Sequence, residues 1–271
     1  MTLLRSQSAR IIACVVLAGA VIAAAGLSVR NAMEGRNRER LFAAIRPVRL
    51  KNCTMKRFGH PHDGGYVMCS NLLGQVQSAY SYGIEGRDEW GCDIARQAGV
   101  PVHEYDCFDP RRPVCDGGTL LFQDECVGGA YEVNDKRVFD AVAHQIAKNG
   151  DFGKRLVVKM DVEGSEWDAF PAIPDVVLNT IDEMSVEFHH TAEPRFLGVI
   201  ERLKKIFYIA NVHFNNHSCT KSDRPFPSWA WEVLFVNKRV GNVDEADSSL
   251  PVPNPLDAPN KPEGRDCQAT W

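Results

Sequence analysis

The chain has no C-x-x-C pair, so its nine cysteines lack the ligand spacing of a structural zinc site. It has no basic excess either. Lys and Arg number 31 against 35 Asp and Glu, a formal charge of -4 with a sequence pI near 6.1, which argues against a nucleic-acid binder. No internal repeat is visible, and no full G-x-G-x-x-G turn marks a dinucleotide site. From Gly241 onward apolar periodicity is missing. "SSLPVPNPLDAPNKPEG" is mostly Pro and small polar residues, so its composition predicts a mobile tail over 241–271.

What remains is ample for one domain: 271 residues, 44% of them apolar, can bury a sizeable core. The amino end differs in kind. "IIACVVLAGAVIAAAGL" (Ile11 to Leu27) carries no charge and is flanked by arginines on both sides. At about seventeen residues it is at the short limit for a membrane-spanning helix. It is expected to be an uncleaved single-pass anchor (1–30), with a signal cleaved near Ala23 and Ala25 as the alternative. The arginine count slightly favours a cytosolic carboxyl side. The eight cysteines beyond Cys14 point the other way, to disulfides and a lumenal or extracytoplasmic domain, with connectivity left open. Asn52-Cys53-Thr54 and Asn216-His217-Ser218 are acceptor sequons.

A linker helix from Glu34 to about Ile45, stopped by Pro47, opens a capping region over 31–70, which ends in the glycine turn and short strand of "RFGHPHDGGYVMC". Over 71–240 the pattern alternates between strand and helix. "QSAYSYGI", "VPVHEYDCF", "GTLLFQDEC", "KRLVVKMD" and "IDEMSVEFHH" read as strands. "EWGCDIARQAG", "KRVFDAVAHQIAKNG" and "FLGVIERLKKI" read as helices, the first two closed by Gly99 and Gly150. "FYIANVHFN" and "WAWEVLFVNKR" finish as strands, one of them antiparallel at the edge. The expectation is an α/β, Rossmann-like fold: a mostly parallel sheet with helices on both faces.

Ligands of such sheets bind beyond the carboxyl ends of the strands. That rule gathers Tyr82, Gly83 and Glu85 from the first strand, Asp106 from the second, Asp161 and Glu163 from the fourth, and Glu187 and His189 from the fifth. Asp106 follows the Gly83 turn by about twenty residues, the spacing of an acid that accepts ribose hydroxyls, or else it is a solvated loop acid. A glycine turn without a phosphate cradle fits a nucleoside ligand that has no pyrophosphate, such as S-adenosylmethionine.

"KMDVEGSEWDAF" resembles the K-[IM]-D-[VI]-E-G-x-E signature of FkbM-type S-adenosylmethionine-dependent methyltransferases. "DGGYVMC", "YSYGIEGRDEW", "SVEFHH" and "WEVLFVNK" resemble the related methyltransferase-like family with an amino-terminal anchor, in the same order, from about Arg57 to Lys238. The resemblance implies a class I methyltransferase fold of seven strands with an antiparallel final hairpin, S-adenosylmethionine as cofactor, and a hydroxyl acceptor on a carbohydrate or small molecule. The chain departs from most class I members in having Gly-Ile-Glu-Gly at the first turn.

Within the acid cluster, Asp161 is expected beside cofactor and acceptor, and Glu163 faces the same cleft if Gly164 allows a tight turn. Ser165 to Asp168 reads as a capping box, which makes Glu166 and Asp168 helix-start acids. Glu187 and His189 share a strand face, so Glu187 could orient His189 as general base, with His190 on the other face. His213, Asn215 and Glu232 repeat the pattern on the last strands. No resident metal is expected on this reading. The alternatives are an anchored glycosyltransferase, in which Asp161-Val162-Glu163 acts as a D-x-D-like site for Mn²⁺ and a sugar nucleotide, or a non-catalytic relative.

Overall fold

A computed structural model of the protein describes residues 26–246 and 250–271. The expected anchor therefore lies almost wholly outside the described residues. Among these, no helix is long and apolar enough to cross a membrane.

Helix α1 covers 26–44, and its last turn docks by burying Leu41 and Phe42, with Ile45 just beyond. Strands β1 (Met55–Gly59) and β2 (Gly65–Cys69) form a hairpin with Met55 opposite Cys69. The alternating part follows as β3 (Ser78–Tyr82), α2 (Glu89–Ala98), β4 (Val102–Tyr105) and β5 (Leu120–Gln123). Then come β6 (Cys126–Gly128), β7 (Glu132–Asn134), β8 (Arg137–Ala141), α3 (Val142–Lys148), β9 (Leu156–Asp161), α4 (Glu166–Ala172) and α5 (Asp175–Leu178). Strand β10 (Ile181–His189), α6 (Pro194–Ile206), β11 (Phe207–Phe214) and β12 (Ala230–Asn237) complete it.

The main sheet has seven strands in the order β11-β12-β10-β9-β3-β4-β5. Strands β10, β9, β3, β4 and β5 are parallel, which makes the fold α/β and Rossmann-like as expected. The antiparallel strand is not at the edge. β12 inserts between β10 and β11, antiparallel to both, and β11 takes the edge. Every residue of β12 is buried, which suits a strand paired on both sides and covered on both faces.

Strand alternation divides the core. Val158 and Met160 of β9 face one cluster, with Tyr80, Tyr82, Phe188 and the helices α3 to α6, whereas Val157 faces the other, with α2 and the β1–β2 hairpin. Helix α2 has Asp88 as N-cap, accepting from the Gly91 N–H, and Gly99 at φ 67° closes it as predicted.

Two further expectations need correction. The helix expected over "KRVFDAVAHQIAKNG" starts only at Val142. Residues Arg137–Ala141 are β8, paired with β6 and β7 in a three-stranded sheet. Asp135 and Lys136, at φ 46° and 65°, form the tight turn that turns β8 back on β7, and this pairing overrides the helical spacing of Val138 and Phe139. The tail is not free either. Disulfide Cys219–Cys267 ties it down, Asn260 is buried, and Trp271 stacks on Phe42 with ring centroids 4.1 Å apart. Composition cannot register fixed tertiary partners of this kind. Three more disulfides, Cys53–Cys69, Cys92–Cys115 and Cys107–Cys126, pair the remaining described cysteines.

Candidate active site

Because β4, β3, β9 and β10 are parallel neighbours, their carboxyl ends meet at one rim. β3 ends at Tyr82, and the chain turns at Gly83, φ 72°. A Cβ at Gly83 would lie 1.7 Å from the Asp161 carbonyl oxygen, so only glycine lets the ends of β3 and β9 approach so closely. The Tyr82 side chain does not reach the site. It lies in the core, its ring centroid 5.1 Å from that of Tyr105, and only its carbonyl faces the rim groups.

Asp106 is likewise placed differently from expectation. One carboxylate oxygen accepts from Ile84 N–H (3.0 Å) and Glu85 N–H (2.9 Å), the other from Phe108 N–H (2.8 Å) and Asp109 N–H (3.0 Å). Four backbone donors occupy it, so it clasps the loops after β3 and β4, and it also lines the larger cavity of the rim beside Gly83 and Tyr105. Glu85, at φ 46°, remains on the rim.

Asp161 ends β9 with a quarter of its side chain exposed, and one of its oxygens accepts from Tyr66 Oη at 3.3 Å. Burial among the strand ends raises its carboxyl to about 6. The Lys159 and His189 charges oppose that rise, and Glu166 and Glu163 add to it. The next turn carries Glu163 at φ 54° and Gly164 at φ 106°. Glu163 is 76% exposed, yet its Oε2 lies 3.4 Å from His189 Nε2.

The capping box does not form. Ser165 is already in the right-handed helical region and makes no side-chain cap bond, and Glu166 is fully buried at 0% exposure. Glu166 Oε1 instead accepts from Val162 N–H at 2.9 Å and meets His189 Nδ1 at 3.1 Å. Asp168 does behave as a surface acid, paired with Arg195. The partner of His189 is therefore Glu166, not Glu187. The reason lies in register. Glu187 is opposite Glu232 of β12 and accepts from Asn215 Nδ2 at 2.8 Å, whereas His189, at the end of β10, reaches α4.

His189 is 4% exposed. Burial opposes its charge, but the Glu166 hydrogen bond and the Glu166, Asp161 and Glu163 charges outweigh burial and raise its pKa. Burial, reinforced by Asp161 and Glu232, pushes Glu187 well above the usual carboxylate range. His213 is bracketed by Glu232 at 3.1 Å and tail residue Asp266 at 3.2 Å. Those acids outweigh its burial and raise it to about 11, so it pins the tail and takes no part at the rim.

Two cavities lie side by side at this rim, with Gly83, Glu85, Asp161 and Glu163 lining both. The larger, about 300 Å³, is walled by Tyr105, Phe108, Val127, Phe139 and Val162. The smaller, about 100 Å³, is polar, with Asp63, Asp88, Lys159, Glu187 and Asn215. A wider cleft of about 790 Å³, bounded by Glu39, Arg224, Phe226 and Thr270, shares no residue with the rim. Among the described residues, Asp161, Glu163 and His189 also offer ligand atoms within 4.8 Å of one another, a group able to hold a divalent cation.

Gly83, Glu85, Asp106, Asp161, Glu163 and Glu187 meet at the rim with His189 beside Glu163, whereas Tyr66 and Lys159 were not expected there and Glu166 was expected only as a helix-start acid. Lys159 had a signal, a lone charge inside the apolar run "LVVKM". Glu166 had one as the closing Glu of the K-[IM]-D-[VI]-E-G-x-E pattern, but its pairing with His189 depends on packing between α4 and β10. No protein-family profile, no curated protein and no solved structure matches the chain.

Proposed function

We propose that the protein is an S-adenosylmethionine-dependent methyltransferase of FkbM type, acting on a hydroxyl of a carbohydrate or small-molecule acceptor. The observation that carries this reading is the adjacent pair of cavities: a largely apolar chamber of about 300 Å³ that shares Gly83, Glu85, Asp161 and Glu163 with an acid-lined cleft. An adenosine needs the first, since flat apolar walls suit a nucleobase. A sulfonium cation needs the second, since carboxylates at short range favour positive charge. The inverted β12 beside the edge strand β11 agrees with the final hairpin that the resemblance implies.

When bound, the cofactor supplies an electrophilic methyl group with a neutral thioether as leaving group. The chain's own residues manage the acceptor proton. Glu166 fixes His189 through Nδ1, leaving Nε2 toward Asp161 and Glu163, at 3.9 and 3.4 Å. Nε2 takes the hydroxyl proton as the new bond forms, and the three carboxylates stabilise the resulting imidazolium. The four disulfides support an oxidising compartment, and the amino-terminal segment supplies the membrane attachment.

The Asp161–Glu163–His189 group favours one second reading, a cation held against a sugar nucleotide diphosphate. Calorimetry of the domain decides between the two. Saturable binding of S-adenosylmethionine, with no heat from a sugar nucleotide plus Mn²⁺, is the expected result; the reverse pattern overturns the methyltransferase reading.

A further inference from the structure

Trp229 is the last residue of the loop between β11 and β12, and it is 41% exposed, whereas Trp90, Trp167 and Trp231 are buried. The ring N–H groups of those three donate to Met68, His189 and His190, but that of Trp229 donates to no described residue. Its backbone is nonetheless fixed. Trp229 N–H donates to the Ser218 carbonyl at 3.4 Å, and the Trp229 carbonyl accepts from His190 N–H at 2.7 Å. Two histidine rings stand beside the indole. His190 lies nearly parallel to it, at 19° with centroids 6.0 Å apart, and the His189 centroid is 6.1 Å away. Successive residues of a strand point to opposite faces. His190 instead adopts φ 71°, and its exposed ring comes to the same indole as that of His189. The Gly164 turn adjoins this group, since a Cβ there would lie 3.8 Å from the His190 ring. The indole thus stands beside the pair of His189 and Glu163, lining neither of the two rim cavities.

An exposed indole on a fixed backbone, next to a rim of carboxylates, offers a ligand two unlike surfaces. The π face is negative and takes weakly positive C–H groups, while Asp161 and Glu163 accept from O–H groups. A saturated ring with C–H bonds across its face and hydroxyls around its edge complements both. A flat aromatic ring would leave the carboxylates unmet, and an open-chain polyol must lose rotational freedom before it presents any face at all. We propose that Trp229 is the acceptor platform: a pyranoside ring lies on the indole and turns one edge hydroxyl toward His189 Nε2. This rests on the methyl-transfer reading above and narrows its acceptor from any hydroxyl compound to a sugar ring. Trp229 acts by holding that hydroxyl in place, and the proton still passes to His189. An indole that only packed against His190 would not distinguish a ring from an open chain.

Methyl transfer from S-adenosylmethionine to the methyl pyranosides of glucose, galactose and mannose, each against its open-chain alditol, tests this on the protein, Trp229→Ala and Trp229→Phe. Cofactor titration accompanies each assay. The unaltered protein should prefer one or more pyranosides over the matching alditol by roughly 10-fold in kcat/KM. Trp229→Ala should raise KM for that pyranoside roughly 10-fold, the scale of one aromatic contact, with kcat and cofactor affinity moving less than about threefold. Trp229→Phe, which keeps a π face, should recover part of the loss. Equal use of rings and open chains by the unaltered protein would overturn the inference without any variant. So would a Trp229→Ala protein that keeps its pyranoside KM, or one impaired equally toward rings and alditols. Cofactor binding with no transfer to any of the three pyranosides would overturn the platform and leave the cofactor reading standing. If the unaltered protein does not bind S-adenosylmethionine, the cofactor reading itself falls, and this inference falls with it.

Discussion

Replacing Glu166 by Gln removes one charge from a fully buried side chain while keeping its shape. In the native protein Glu166 Oε1 serves two donors, Val162 N–H at 2.9 Å and His189 Nδ1 at 3.1 Å. The amide can still accept one of them, but it cannot supply the counter-charge for an imidazolium. A hydrogen bond to a charged group contributes about 1.5–3 kcal/mol, which lowers turnover roughly 10- to 100-fold if His189 must carry the acceptor proton in the transition state. The pH profile adds a second signature. The base form of His189 is needed, so turnover climbs as pH rises through its elevated pKa, with Asp161, near 6, titrating on the same limb. In Glu166→Gln the imidazolium loses its main partner, so the climb moves to lower pH and levels off at a lower plateau. Cofactor affinity should change less than about threefold. Glu187→Gln is the control, since Glu187 bonds Asn215 whereas His189 Nδ1 meets Glu166. Single-turnover methyl transfer from pH 5 to 9 reads all of this. A fully active Glu166→Gln with an unmoved profile, or a Glu187→Gln equally damaged, would refute the assignment of Glu166 as the orienting group.

Asp106→Ala strands four backbone N–H groups and should cost about 1–3 kcal/mol in urea unfolding. Unchanged stability with weakened cofactor binding would return Asp106 to the ribose. Under denaturation without reductant, the eight paired cysteines should resist alkylation by mass spectrometry; free thiols there would place the domain in a reducing compartment. His213, raised to about 11 in the fold against about 6.5 unfolded, stabilises fully below that lower value, and the contribution is lost as pH rises through about 11. His213→Gln should therefore be less stable than the parent at pH 6 and converge with it toward pH 10–11, as judged by denaturant midpoints. A constant gap between them would show that the Glu232–His213–Asp266 bridge does not depend on charge.

The alternation of strand and helix over 71–240 carries the parallel sheet, because apolar period and glycine stops act within a few residues of chain. For the same reason the rim positions Gly83, Asp161, Glu163 and His189 could be named from their places at strand ends. Gly83 is the clearest case, since the close approach of Asp161 leaves no room for a side chain. Only tertiary structure decided how the charges pair. Glu166 reads locally as a helix-start acid and becomes the partner of His189 because α4 packs on the end of β10. Asp106 has ribose-binding spacing, yet backbone donors of two loops converge on it. The tail has a disordered composition, and Asp266, Asn260 and Cys267 find partners more than twenty residues away in sequence. Period and turn signals are local and survive in one dimension. The partner of a buried charge is set by which strand ends and loops the fold brings within about 3 Å, and no spacing along the chain encodes that distance.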